Sequence, residues 1–309
     1  MNYPPSFLFR YLERLVYLPY CMTFLENPLR SSRTINMLLE LLDELQERVL
    51  EYTDVESLNN LSVCSSSYTE LCRPFLWRNV KIPPRYMNEY TPILHVQLPR
   101  LPRLEKFMEK LDTGHFQHTK SLRLTDDDTD DDFFCPVFMN KDSLLENTRK
   151  LLAKCNHLSV LHICYSLPVE LWEGLDHLRE VCLSYEAATN ECVVALSNAQ
   201  PHLRSLTIKE RFSYATITSA GFAHIAACLP DLVELCLDGC KHLDDTCVKM
   251  VSGLGSLKRL YMRHCYGITT RGLPYIFAAT GKGGYYALYT DEGKARDGNK
   301  KDVGPCEIH

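Results

Sequence analysis

The chain has 309 residues, 45% hydrophobic and 24% charged, with a formal net charge of −5. That length accommodates two ordinary soluble domains, and the acidic balance excludes a polycation built for nucleic acid. Fourteen cysteines fall below the roughly 8–10% that marks a disulfide scaffold. No Cys-x-x-Cys occurs, and no cysteine pair lies near a histidine pair at zinc-finger spacing, so neither a structural metal nor a cofactor is expected. The thiols sit mostly in apolar segments, where cysteine packs as a small hydrophobe. A reducing compartment, cytoplasmic or nuclear, is the expectation.

Residues 1–36 include a stretch, Phe7 to Leu25, rich in Phe, Leu and Tyr but broken by Arg10, Glu13 and Arg14. A membrane span needs about 20 mostly uncharged residues, and a secretory signal has its positive charges ahead of the apolar run. The segment reads as an added helix packing on the next domain, with a membrane-surface or targeting helix as the alternative. No partner membrane is expected.

Residues 37–80 carry three short helical stripes. Leu41, Leu45, Val49 and Leu50 form the first, opened by Asp43 and Glu44. Asp54 is placed to cap a second stripe of Val55, Leu58 and Leu61. Tyr68, Leu71 and Cys72 form a third, which Pro74 should stop. Three helices of this length enclose a small core, and such a module leans on a partner. Residues 81–117 hold Pro83, Pro84, Pro92, Pro99 and Pro102 and read as a connector.

From residue 118 the pattern apolar-x-x-apolar-x-apolar recurs. It matches Leu158-Leu161-Ile163, Leu178-Val181-Leu183, Leu203-Leu206-Ile208, Leu232-Leu235-Leu237 and Leu257-Leu260-Met262, with a weaker Thr119-Leu122-Leu124 ahead of them. Periods of about 20 to 29 residues mark a strand-plus-helix repeat that buries its apolar edge only by stacking on neighbours. The second half of each unit carries apolar residues at helical offsets: Ile217, Phe222 and Ile225; Leu243, Val248 and Val251; Ile268, Leu273 and Ile276. The interval from Ile163 to Leu178 contains Pro168 and predicts an irregular turn. The array is placed at 118–280. Residues 281–309, with six glycines and five Lys or Arg, predict a disordered tail that does not continue it.

Two resemblances follow from these residues. The stretches Leu-Asp-Gly-Cys-Lys-His-Leu-Asp-Asp (237–245) and Met-Arg-His-Cys-Tyr-Gly-Ile-Thr-Thr (262–270) resemble the cysteine-containing class of leucine-rich repeats. In that class the cysteine is a buried structural residue, and Cys228, Cys240 and Cys265 are read so. Residues 41–80 resemble an F-box: Leu41, Glu44, Leu45, Val49, Leu50, Leu58, Ser62, Leu71, Leu76 and Trp77 occupy the family's places. Leu42 stands where the family has Pro, Thr53 where it has an aliphatic residue, Cys64-Ser65-Ser66 where it has Val-Cys-Lys, and Tyr68 where it has Trp. The implied fold is α/β, a short N-terminal all-α F-box-like module followed by a right-handed leucine-rich-repeat solenoid of strand-turn-helix units. The implied function is that of a non-catalytic substrate-recognition subunit of a cullin-RING (SCF-type) ubiquitin ligase, marking its targets for proteasomal degradation. The module would bind the adaptor subunit, and the cullin through it, by way of Leu41, Leu42, Glu44, Leu45, Val49, Leu50, Leu58 and Tyr68. The alternative is a stand-alone leucine-rich-repeat scaffold or inhibitor whose helices merely cap the array.

Target binding is expected on the strand positions that alternate with the buried ones, since strand side chains alternate faces. Glu180, Ser205, Glu234 and Arg259 form one column, Cys182, Thr207, Cys236 and Tyr261 a second, and Ser184, Lys209, Asp238 and Arg263 a third. Lys209, Glu234, Asp238, Arg259, Tyr261 and Arg263 are the candidate substrate contacts, because Tyr and Arg are enriched at interface hot spots. Glu234–Arg259 and Asp238–Arg263 are also candidates to pair across strands. Six aspartates in residues 125–132 lack the Gly and Glu of an EF-hand loop and read as a solvated run. His157, His162, His177 and His202 lie at or beside repeat strands with no marked nucleophile near them in sequence, and no catalytic residues are expected.

Overall fold

The structure, a computed structural model, describes residues 43–82, 114–125, 141–210, 217–280, 285–289 and 295–297. The chain divides into two compact units, residues 1–76 and 77–309. In the first, α1 (Asp43–Glu51), α2 (Val55–Ser62) and α3 (Ser66–Leu76) enclose Leu50, Leu58, Tyr68 and Cys72, with Val49, Leu61, Leu71, Phe75 and Leu76 packed around them. Asp54 caps α2 as its position predicts: its Oδ1 accepts from Ser57 N at 2.8 Å and its Oδ2 from Ser57 Oγ at 2.7 Å. Pro74 does not stop α3, which runs on to Leu76. A proline costs a helix its own N–H and crowds the carbonyl one turn back, and so close to the helix end little backbone pairing remains to lose.

The second unit is α/β, with one sheet whose nine described strands lie in chain order. They are β1 (Asn79–Lys81), β2 (Ser121–Leu124), β3 (Val160–Ile163), β4 (Glu180–Ser184), β5 (Ser205–Lys209), β6 (Glu234–Asp238), β7 (Arg259–Arg263), β8 (Tyr285–Tyr289) and β9 (Ala295–Asp297). The pairs from β1 to β8 are parallel, and β9 pairs antiparallel to β8. A parallel strand needs a crossover back to its starting edge. The described crossover helices are α4 (Lys141–Leu152), α5 (Val169–Glu173), α6 (Asn190–Ala199), α7 (Ser219–Cys228), α8 (Asp245–Val251) and α9 (Leu273–Thr280). Between Ile163 and Leu178 the crossover is the five-residue helix α5 rather than an irregular turn. Pro168 precedes its first residue, where a missing N–H is harmless, and the helix buries Leu171 and Trp172.

The repeated apolar residues occupy equivalent rungs: Leu122, Leu161, Val181, Leu206, Leu235 and Leu260 stand side by side on successive strands. Their side chains, with those of the crossover helices, make one continuous core from Ile82 to Ile276. Two boundaries differ from the sequence reading. Trp77, Val80 and Ile82 already follow the repeat pattern, and β1 pairs with β2, so the sheet opens across the expected module–connector boundary at residue 80. At the other end β8 and β9 lie within the expected disordered tail and extend the sheet. Tyr286 and Leu288 are the register partners of Leu260 and Met262, and in the sequence a glycine, Gly283, stands where the earlier units have leucine and disguises the repeat. Residues 1–36 and most of the connector lie outside the described residues.

Candidate interaction surfaces

The register gathers the six candidate substrate contacts on β5, β6 and β7. Lys209, Asp238 and Arg263 share one rung, Glu234 and Arg259 another, and Tyr261 stands opposite Cys236. Nε and Nη2 of Arg259 both donate to Glu234 Oε2 at 2.5 Å, an exposed pair worth about 0.2–1 kcal/mol. Asp238 Oδ1 is hydrogen-bonded to His264 Nδ1 at 3.0 Å, where the sequence led us to expect Arg263 as its partner. His264 follows β7 with φ 52°, a left-handed turn that sequence spacing does not announce and that places its ring against the carboxylate one strand away. The central column is more enclosed than expected: Cys182, Thr207 and Cys236 are buried and Tyr261 is half-buried.

Beside this face the chain buries a carboxylate that the sequence did not single out. Glu210, directly after β5, is only 4% exposed. Its Oε1 accepts from Ile217 N at 2.7 Å and its Oε2 from Lys241 N at 3.3 Å. Burial pushes its pKa up, opposed by those two N–H donors and by the charges of His242 and Lys241. Gly239 faces it across the turn after β6, with φ +74° and the Glu210 carbonyl 2.2 Å from where a Cβ would stand. No other residue type fits that position.

On the helical unit, Leu41 and Leu42 lie outside the described residues, and Glu44 falls within α1. Leu45 and Val49 are half-buried. The structure corrects the expectation for Leu50, Leu58 and Tyr68: all three are buried and form the unit's own core rather than its surface. Periodicity finds an apolar stripe but does not say whether a neighbouring helix or a partner covers it. Among the described residues of this unit, the large exposed apolar side chains are instead Tyr52 (88%), Val55 (63%) and Val63 (83%). Val55 and Leu58, read as one stripe, therefore part company: Leu58 is buried and Val55 exposed.

Among the described residues, no group of three or more His, Cys, Asp or Glu is placed to hold a metal, and no helix is long and apolar enough to cross a membrane. The aspartate run after Thr125 lies outside the described residues. Burial pushes the Cys155 thiol up to about 12 and those of Cys72, Cys192 and Cys247 up to about 11, which leaves them poor nucleophiles. Cys240 and Cys265 are buried as expected. Cys228 is only half-buried, its Sγ 3.5 Å from His224 Nε2. That same nitrogen lies 3.0 Å from Asn198 Oδ1. A nitrogen donating to the amide oxygen has no lone pair left to take a thiol proton, so the trio is not a nucleophile relay. No protein-family model matches the chain, and no curated protein matches it in sequence.

Proposed function

We propose that the chain is a substrate-recognition subunit of an SCF-type ubiquitin ligase, its three-helix unit an F-box and its sheet unit a leucine-rich-repeat solenoid. The observation that carries this reading is the pairing of two features. A helical unit whose described residues bury four core side chains leaves Tyr52, Val55 and Val63 exposed, an apolar surface that calls for a partner. It is followed by register-matched strand-helix units with buried Cys240 and Cys265 at the turns after β6 and β7. The protein then transfers nothing itself. One surface binds the adaptor and through it the cullin, the other binds a target protein, and tethering raises the target's effective concentration at the conjugating enzyme.

Within the helical unit, Leu45, Val49, Tyr52 and Val55 are the contacts we assign to the adaptor, in place of the buried Leu50, Leu58 and Tyr68. On the sheet, Lys209, Glu234, Asp238, Arg259, Tyr261 and Arg263 are assigned to the target, joined by His264. The test is capture of the adaptor subunit by the purified chain. Leu45→Asp with Val49→Asp should abolish capture, and Tyr52→Ala with Val55→Ala, at exposed positions, should weaken it with the fold intact. Tyr261→Ala with Arg263→Glu should release targets and keep the adaptor. Absence of adaptor binding by the wild-type chain would overturn the reading and leave a stand-alone repeat scaffold.

A further inference from the structure

Each parallel strand from β3 to β5 is approached through the same step: a buried leucine, Leu158, Leu178 or Leu203, with one polar residue before it and one after. The backbone makes these steps equivalent. Ser159 N and Val160 N both donate to Lys120 O, Arg179 N and Glu180 N to Ser159 O, and Arg204 N and Ser205 N to Arg179 O. Residues after the leucine therefore stack rung on rung, about 4.8 Å apart, and so do those before it. The column before the leucines is His157, His177 and His202; the column after them includes Lys120, Arg179 and Arg204. All six are exposed except Arg179, which is half-buried.

The chain itself sets a carboxylate beside one of these histidines. One rung beyond His202 the histidines give way to Asp231, whose Oδ2 is hydrogen-bonded to His202 Nδ1 at 2.8 Å. A carboxylate one rung away is thus within bonding reach of an imidazole in this column. At the two earlier rungs the next residue is another histidine, and the rings of His157 and His177 stack at 5.9 Å with 30° between their planes. No carboxylate of the column stands there. A depression of about 250 Å³, lined in part by Asn156, Leu175 and His177, opens at the same place.

We propose that this upstream edge of the sheet, built on His157, His177, His202, Lys120, Arg179 and Arg204, is a docking surface for an acidic segment of a second protein. The proposal does not rest on the ubiquitin-ligase reading, because it uses neither the helical unit nor the residues assigned to the target. A polypeptide fits better than a nucleic acid for two reasons. Asp176 and Glu180 flank the cations of the rung that leads into β4 and would repel a regularly spaced phosphate backbone there, whereas a peptide can place a neutral residue at that rung. The two columns also hold no Phe, Tyr or Trp on which bases could stack.

The experiment titrates the full chain into a fluorescently labelled glutamate-rich peptide and, separately, a labelled oligothymidylate of equal length, reading anisotropy at low and physiological salt. Saturable peptide binding that weakens with salt is expected. Arg179→Glu with Arg204→Glu should weaken it by roughly tenfold or more, and His157→Ala with His177→Ala and His202→Ala should weaken it further. Lys249→Glu, on α8, should leave it unchanged. All these side chains lie at the surface, and an unaltered melting curve establishes that each variant is folded. Absence of saturable peptide binding, equal binding by the charge-reversed variant, or tighter binding of the oligonucleotide would each overturn the proposal.

Discussion

At Glu210, directly after β5, a carboxyl group is held away from water while both of its oxygens accept backbone N–H groups. Burial outweighs those bonds, so the folded carboxyl keeps its proton to higher pH than the unfolded one. The linkage sign follows. A group with a raised folded pKa contributes stability that is complete below the unfolded value, the ordinary carboxylate value of about 4.5, and is lost as pH rises through the folded value. Glu210→Gln cannot ionise and lacks that step. Urea midpoints measured across mildly acidic pH should therefore show the wild type losing ground to Glu210→Gln as pH rises from about 4.5. A constant difference between the two proteins would mean that Glu210 is not the titrating group.

At the scale of elements, neighbouring crossover helices are joined by one repeated tie. Asn190, at the start of α6, accepts from Thr218 N at 3.0 Å and donates through Nδ2 to Thr218 Oγ1 at 2.9 Å. Asp245, at the start of α8, accepts from Thr269 N at 2.8 Å and from Thr269 Oγ1 at 2.6 Å. Three residues beyond each threonine stands a glycine, Gly221 or Gly272. A Cβ there would lie 2.6 or 2.4 Å from the tying oxygen. Removing Asp245 breaks two bonds at a partly exposed site, so Asp245→Ala should cost about 1–2 kcal/mol in urea unfolding. Asp245→Asn should retain most of it, since asparagine already performs the task at 190. If Asn behaves like Ala, the tie depends on charge rather than on the bond pattern.

For the sheet unit as a whole, strand order equal to chain order leaves each unit touching only its neighbours, and stability passes along the array through a single core. A sheet so built has two edges. On the C-terminal side, β8 pairs with β7 and is followed by the antiparallel β9. An open parallel edge is a template for another chain. A chain ending at Thr280 would bare the β7 edge between Arg259 and Arg263. It should associate in a concentration-dependent manner in light scattering, where the full chain does not, and melt at lower temperature. A monomeric truncated chain of unchanged melting temperature would show that β8 and β9 add nothing to the array.

Local rules made much of this legible. Leucines six-residue-matched from Leu158 to Leu257 point inward because strand alternation is a property of the chain alone, and Asp54 caps α2 because its side chain reaches no farther than Ser57. The grouping of Lys209, Asp238 and Arg263 on one rung followed from the repeat offset without any structure. What the sequence left open depends on which surface meets which. Leu50, Leu58 and Tyr68 carry the same helical signal whether a partner or α1, α2 and α3 bury them, and only packing among those helices decides. His264 reaches Asp238 through a left-handed turn, and Glu210 holds N–H groups from Ile217 and Lys241, seven and 31 residues away. β8 is a strand because β7 offers it an edge. A periodic pattern states that a face must be buried; long-range contacts, which no local propensity encodes, choose what buries it.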